Sequence, residues 1–277
     1  MINFKNVIIE AQQRDALPTY NELFKYLSKF YPENLKEGLK DIRYGMYNIK
    51  NPNKEIQKIL LCTTVTEEVK TKAINENFDL TITHHPFLKD VPGIIFHLTM
   101  DESTHGHNVY FLNRMGLQNK HIGDLIVSGD LYKDMEISEF IDYLEKHGFK
   151  VNGILHKNKN YPDEDDLIKS VLYCAGGGGI LLNKHILEMH HLAGNPEWDM
   201  RNIEKDVYVT GELSSKWDLD NNKFKYIIEL SHTTSEKPLF KLIQNKIKNK
   251  WPRLTVEIAD NKIDYVGWES LNKKTRI

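Results

Sequence analysis

The sequence predicts an α/β fold, in the broad sense that includes α+β. Three observations predict it. Short apolar runs typical of buried strands alternate with amphipathic helical segments over most of the chain. The first complete set of these segments is a strand–helix–strand unit, which indicates a parallel pair of strands. The length of 277 residues fits one large domain or two smaller domains of roughly 150 residues each.

The N-terminal elements follow from spacing and capping. Leu23 and Leu27 lie at helical spacing in the first amphipathic segment, and Lys58–Cys62 is a short apolar run that predicts a buried strand. Thr66 precedes two acidic residues and is the expected N-cap of the next helix. The segment 78–83 predicts the second strand, so the unit closes within about 25 residues.

The remaining elements are predicted by the same signals of periodicity, capping and glycine breaks. In chain order they are a helix capped by Ser138 and stopped by Gly148, a strand at 168–173, a sharp turn at 176–179, a helix at 180–191, strands at 206–210 and 225–230, and a final helix with Leu239, Phe240, Ile243 and Ile247 on one face.

Composition excludes several classes of protein. Thirty-seven basic residues against 39 acidic ones leave a net charge of −2, which argues against a general nucleic-acid or membrane-surface binder. No targeting segment and no membrane span is visible, so a cytoplasmic location is expected. Two cysteines cannot form a Cys-rich zinc site, whereas twelve histidines are unusual.

The strongest local signal is the pair His84 and His85, which follows the second predicted strand and precedes Pro86. The carboxyl ends of parallel strands are where such folds place ligands, and neutral imidazole binds transition metals. The alternative is that both histidines face solvent at the end of the strand.

A second signal is Ser231 followed by His232 and Glu236 at the start of the last predicted helix. A spacing of four residues puts both side chains on one helical face, where they can serve one metal ion or two adjacent ions. The alternative is a solvated first turn that Ser231 caps.

Other candidates are weaker. Asp101 could supply an oxygen ligand, and we expect Asp101 rather than His97 to contact the metal. His97 could be a ligand, could orient a ligand or could carry a proton. Residues 176–179 could bind an anion through backbone amides, although a plain tight turn explains them better. Glu212 follows another strand and could face the same cleft. Cys174 is interpreted as a buried small residue.

These pieces, in this order, resemble the Nif-three-like family, whose bacterial members are often labelled GTP cyclohydrolase type-two homologues. The resemblance rests on the segment 80–87, on His97 and Asp101 ahead of Asn108, on the four glycines at 176–179, which we call the glycine run, on the segment 206–212, and on His232 with Ser235 and Glu236. The chain departs from the family pattern at 43–46, at Thr64 and at 214–216.

The resemblance implies a two-metal site in the cleft between the two α/β domains of a homohexameric ring. Carried over by position, the metal ligands are His84, His85, Asp101, His232 and Glu236. Glu236 is the expected bridge between two divalent ions, which could be Zn, Fe, Mn or Ni. The predicted domains are 1–127 plus 225–277, which carries the metal ligands, and 128–224.

The leading functional hypothesis is a metal-dependent hydrolase acting on a phosphate- or nucleotide-containing compound, in which His97 or Glu212 handles protons. The alternative is a non-catalytic metal-binding protein, either a metal chaperone or a regulatory scaffold. A ring that binds nucleic acid through its lysine-bearing last helix is a third reading, and the charge balance counts against it. The other eight histidines are expected to be surface or structural residues.

Overall fold

The fold is described from a computed structural model. It describes residues 16–32, 44–85, 90–102, 104–123, 125–156, 167–182, 188, 194, 199–213 and 222–259. The contacts within the chain divide it into two compact units. Of the described residues, unit 1 contains those up to 102 and from 239 onward, and unit 2 contains those from 104 to 238.

Unit 1 contains a five-stranded sheet in the order β1-β4-β3-β2-β11, in which β1 is antiparallel and the other neighbours are parallel. Its strands are β1 (Tyr44–Tyr47), β2 (Lys58–Cys62), β3 (Leu80–Thr83), β4 (Gly93–Phe96) and β11 (Thr255–Ile258). Its helices are α1 (Tyr20–Leu27), α2 (Glu67–Asn75), α3 (His97–Glu102) and the larger, C-terminal part of α6 (His232–Lys250).

The predicted strand–helix–strand unit is confirmed. Thr66 caps α2 by accepting a hydrogen bond from the Val69 amide, and β2 pairs in parallel with β3. Leu60 of β2, Val69 of α2 and Ile95 of β4 belong to one buried hydrophobic cluster in unit 1. The carboxyl end of β3 is therefore fixed by pairing on both sides, to β2 and to β4.

Unit 2 contains a six-stranded sheet in the order β5-β6-β8-β9-β10-β7, with a parallel centre and antiparallel edges. Its strands are β5 (Gln118–Ile122), β6 (Val127–Met135), β7 (Gly153–His156), β8 (Ile168–Cys174), β9 (Val207–Thr210) and β10 (Tyr226–Glu229). Its helices are α4 (His107–Arg114), α5 (Ile137–Lys146), two short 3-10 turns at Gly178–Leu182 and Met200–Asn202, and the first residues of α6.

The core of unit 2 is rich in aromatic side chains. Phe111 of α4 stacks on Tyr173 of β8 with ring centroids 3.7 Å apart, and Phe149 packs edge-on against Phe111. All three rings are fully buried. This packing fixes β8, whose carboxyl end leads directly into the glycine run.

Some expectations differ from the observed elements. The N-cap of α5 is Glu136 and not Ser138, because the helix already begins at Ile137. A 3-10 turn occupies Gly178–Leu182, and most of the helix predicted at 180–191 lies outside the described residues. None of the described helices is long and apolar enough to cross a membrane.

The compact units group the chain differently from the predicted domains, 1–127 plus 225–277 and 128–224. Ser128 and Gly129 lie inside β6, and β10 pairs in parallel with β9, so residues 104–127 and 225–238 go with unit 2. Strand pairing at these two points is the physical reason for the difference.

Candidate metal centre

Four predicted site residues of unit 1 lie together, and we name them the histidine cluster: His84, His85, His97 and Asp101. The rings of His84 and His97 stack in parallel at 4.7 Å, and the ring of His85 lies 4.5 Å from that of His84. The Asp101 carboxylate is 3.7 Å from Nε2 of His84. His84 and His85 are buried, whereas His97 and Asp101 are partly exposed.

The chain bends at the end of β3 in a way that gathers both adjacent imidazoles. Thr83 is the last strand residue, and its hydroxyl donates to the Thr63 carbonyl at 2.8 Å. The His85 amide donates to the same carbonyl at 2.9 Å. This shared acceptor at the end of β2 fixes the two residues after the strand, where a regular strand would splay their side chains to opposite faces.

The histidine cluster fits a metal ion by its donor chemistry. His84, His85 and His97 each offer a ring nitrogen, and these three atoms lie within 4.8 Å of one another. Nitrogens bound to one zinc ion are roughly 3–4 Å apart, because each bond is about 2.0–2.1 Å long. The spacing of the ring nitrogens is therefore close to the spacing that a bound ion requires.

A second group lies in unit 2, and we name it the carboxylate–imidazole cluster: Glu212, His232 and Glu236. Nδ1 of His232 is 2.9 Å from Oε2 of Glu212, and its Nε2 is 3.2 Å from Oε1 of Glu236. All three residues are buried. Two buried carboxylates around one imidazole make this a site for positive charge, supplied by a proton or by a metal ion.

The pKa of His232 reports the same electrostatics. Burial acts to lower it, but the Glu236 and Glu212 carboxylates outweigh burial and raise the pKa from 6.5 to about 10. A metal ion that binds Nε2 must therefore displace a proton that the carboxylates hold firmly.

The glycine run makes room for this cluster. Gly176 follows β8 with φ +60°, and a Cβ atom built on it would lie 2.5 Å from Glu236 Oε1 and 3.0 Å from His232 Nε2. Only glycine combines this backbone conformation with such a close approach. The amides of Gly176 and Gly179 already donate to Ser235 and to the Glu212 carbonyl, so these two are not available to a phosphate group.

Ser235 joins the glycine run to the first turn of α6. Its hydroxyl accepts from the Gly176 amide at 2.9 Å and donates to the His232 carbonyl at 2.7 Å, while its own carbonyl accepts from the Tyr173 hydroxyl. Ser235 entered the resemblance above without a role. The sequence offered no signal for the contact of Gly176 with the cluster, because that contact joins distant segments.

The family of the chain is established by comparison of its sequence with known proteins. The model of the Duf34/NIF3 (NGG1p interacting factor 3) family matches residues 18–92 and 89–190, more than half of the chain. The chain belongs to the Duf34/NIF3 family. This confirms the resemblance drawn from the sequence.

This NIF3 family chain is similar to known proteins in sequence and in structure. A protein of Clostridium perfringens named "GTP cyclohydrolase 1 type 2 homolog" is 22% identical over 257 residues, covering 83% of this chain and 91% of that one. The structure of reduced HcgD from Methanocaldococcus jannaschii superposes with a TM-score of 0.67 at 18% identity, covering 89% and 99% of the two chains. A Bacillus cereus protein related to NIF3 gives 0.65 at 16% identity, covering 91% and 99%. These structures confirm the mixed α/β fold with two sheets.

Some of the histidines without an assigned role lie in the described part of the chain, and His107 is one of them. It is the first residue of α4 and is buried, with an exposed fraction of 2%. His105 and His121 are exposed, as expected for surface residues. His185, His190 and His191 lie outside the described residues.

Proposed function

We propose that this NIF3 family chain binds two divalent metal ions and acts as a metal-dependent hydrolase on a phosphate- or nucleotide-containing compound. The observation that carries the proposal is the histidine cluster, where three ring nitrogens lie within 4.8 Å of one another. Imidazoles gathered at the end of a parallel strand suit a catalytic metal better than a purely structural role.

The proposed ligands are His84, His85, Asp101, His232 and Glu236, with Glu236 as the bridging carboxylate, as the family resemblance implies. Zn, Fe, Mn and Ni all suit a mixed imidazole and carboxylate set. When bound, such ions supply an activated water and neutralise negative charge on an oxygen-rich substrate.

We assign His97 to proton transfer and not to the ligand set, although its ring nitrogen lies within 4.8 Å of those of His84 and His85. Its ring stacks on His84, and it is partly exposed, so it can exchange a proton with solvent while staying beside the ligands. Glu212 was the other expected proton carrier. Its carboxylate already accepts a hydrogen bond from His232, which favours His97 for the transfer.

The experiment is to prepare metal-free protein, restore each candidate metal, count ions per chain, and screen phosphoesters and nucleotides for hydrolysis. Wild type is expected to hold two ions per chain and to show metal-dependent turnover. His84→Ala and Glu236→Ala are expected to lose both. His121→Ala and Glu68→Ala, which remove the same side-chain types from exposed positions, serve as matched controls and should behave as wild type.

Each outcome has a defined meaning. Two ions per chain without turnover on any substrate would favour the non-catalytic role of a metal chaperone or regulatory scaffold. Fewer than one ion per chain after reconstitution, with His84→Ala no different from wild type, would reject metal binding in either role.

The proposal extends to assembly and location. A homohexameric ring in the cytoplasm is part of it, with a phosphate-containing small molecule as partner and neither membrane nor nucleic acid. Sedimentation equilibrium of the metal-loaded protein tests the ring, and a monomeric mass would remove it.

A further inference from the structure

Glu212 occupies a defined place beside His232 because two neighbouring strands end there. Thr210 is the last residue of β9 and is the register partner of Glu229, the last residue of β10. The Leu230 amide donates to the Thr210 carbonyl, which extends the pairing past the strand ends. Glu212 comes two residues after Thr210, and His232 comes two residues after Leu230. The parallel pairing of the two strands therefore brings these side chains together.

The backbone of Glu212 is also fixed. Its carbonyl accepts from the Gly179 amide at 2.9 Å, and the residue is 8% exposed. Its carboxylate accepts the Nδ1 hydrogen of His232 at 2.9 Å. The acceptor is therefore held by the strand and the glycine run, and does not depend on a flexible surface side chain.

We propose that Glu212 is a positioning residue that acts through His232. By accepting the Nδ1 hydrogen it fixes the ring so that Nε2 faces Glu236 and any ion that they bind. Carboxylates that hold the far nitrogen of a ligating imidazole set its tautomer and orientation and raise its basicity. The part concerning metal rests on the proposed function, whereas the orientation of the ring does not.

The surroundings of the ring agree with this role. Nε2 lies 3.2 Å from Oε1 of Glu236, on the opposite side of the ring from Glu212. The glycine run closes a third side, since a Cβ on Gly177 would lie 3.9 Å from Cε1 of His232. Loss of the Glu212 carboxylate would remove the restraint that acts on Nδ1.

The test compares Glu212→Ala and Glu212→Gln with wild type and with Glu204→Gln, an exposed carboxylate of the same unit. The first measurement is zinc affinity by competition with a chelator. We expect Glu212→Ala to weaken zinc binding about 10–100-fold. Glu212→Gln should lose less, because its amide oxygen still accepts from Nδ1, and Glu204→Gln should bind as wild type.

The second measurement is the Nδ1 hydrogen and nitrogen signal of His232 by NMR in the metal-free protein. We expect a protected, hydrogen-bonded signal in wild type, a shifted one in Glu212→Gln and its loss in Glu212→Ala. A merely structural role would lower the unfolding free energy and leave both the zinc affinity of the folded protein and this signal unchanged, and that result would overturn the proposal.

The two proposals fail in different ways. If wild type binds none of Zn, Fe, Mn and Ni, the proposed function fails, and the NMR signal alone decides the role of Glu212. If Glu212→Ala does not fold, Glu212→Gln decides. A zinc affinity and an Nδ1 signal identical to those of wild type in that variant would overturn the positioning role.

Discussion

Gly176 has no side chain, and this leaves space for the carboxylate–imidazole cluster. A side chain at this position is therefore expected to disturb the cluster. In Gly176→Ala the new Cβ would meet Glu236 Oε1 at 2.5 Å and the backbone would keep an unfavourable φ of +60°. We expect the unfolding free energy to fall by about 1–3 kcal/mol. Zinc affinity should fall roughly 10-fold or more, because both cluster side chains must move.

Gly148→Ala is the matched control for that substitution. Gly148 has φ +94°, and nothing lies within 4 Å of a Cβ built on it. It should therefore lose only the strain of the left-handed backbone, about 1–2 kcal/mol, with zinc affinity unchanged. Equal effects of both alanines on zinc affinity would contradict the steric argument. Urea unfolding and chelator competition supply the two measurements.

The raised pKa of His232 predicts how the stability of the metal-free protein depends on pH. The folded pKa is about 10 and the ordinary value is 6.5, so the folded state binds the extra proton between these limits. The stabilisation is complete below pH 6.5 and is lost as pH rises through about 10. We expect the difference in unfolding free energy between wild type and His232→Gln to shrink over this range, as measured by urea unfolding. A difference that grows with pH would contradict the sign.

The residues proposed as metal ligands carry a signal in the sequence, whereas the contacts between their side chains do not. The adjacent pair His84 and His85 carries its signal in the sequence, and so does the spacing of His232 from Glu236. No sequence pattern indicated the stacking of His97 on His84. Of His97 and Asp101, it was Asp101 that was expected to contact the metal. Ring stacking depends on where β4 brings the start of α3, and a single-residue pattern does not contain that information.

At the scale of elements, the start of α6 combines a cap with an unusual backbone conformation. Ser231 has φ +75°, and its hydroxyl accepts from the Thr234 amide at 3.3 Å. Ser231→Ala loses the cap and keeps the unfavourable φ, so we expect a loss of about 1–2 kcal/mol in unfolding free energy. Ser231→Gly loses the cap but relieves the backbone, so it should be clearly more stable than the alanine variant. Urea unfolding of the two variants tests the order, and a glycine variant less stable than the alanine one would refute it.

Helices and strands could be predicted from the sequence where the local segment shows an apolar run or a capping residue. β2, α2 and β3 were recognised from apolar runs and from Thr66, because both strands are buried and the cap is local. β5 was not recognised, because all five of its residues are exposed and polar or charged except Ile122. Such an edge strand exists through its pairing with β6, which is a long-range interaction.

At the scale of the whole molecule, each compact unit has its own hydrophobic cluster and its own group of candidate ligands. Leu60 of β2 belongs to the hydrophobic core of unit 1, in the same sheet as the strand β3 that ends at the histidine cluster. Tyr173 belongs to the hydrophobic core of unit 2 and lies in β8, the strand that leads to the glycine run. The length of the chain fits one large domain or two smaller ones, and the contacts divide the chain into two compact units. Their limits depend on strand pairing, which no local signal near Ser128 or Lys225 reports.

The proposed metal binding predicts an increase in the stability of the whole molecule. A ligand that binds only the folded state adds RT ln(1 + [L]/Kd), which is about 2.7 kcal/mol when free zinc is 100 times Kd. We expect zinc to raise the unfolding free energy of wild type and of His121→Ala by about this amount, and to have little effect on His84→Ala. His84 is buried within the histidine cluster, whereas His121 is exposed on β5, so the comparison separates site binding from binding at surface imidazoles. Equal stabilisation of all three proteins in urea unfolding would show that the histidine cluster is not where zinc acts.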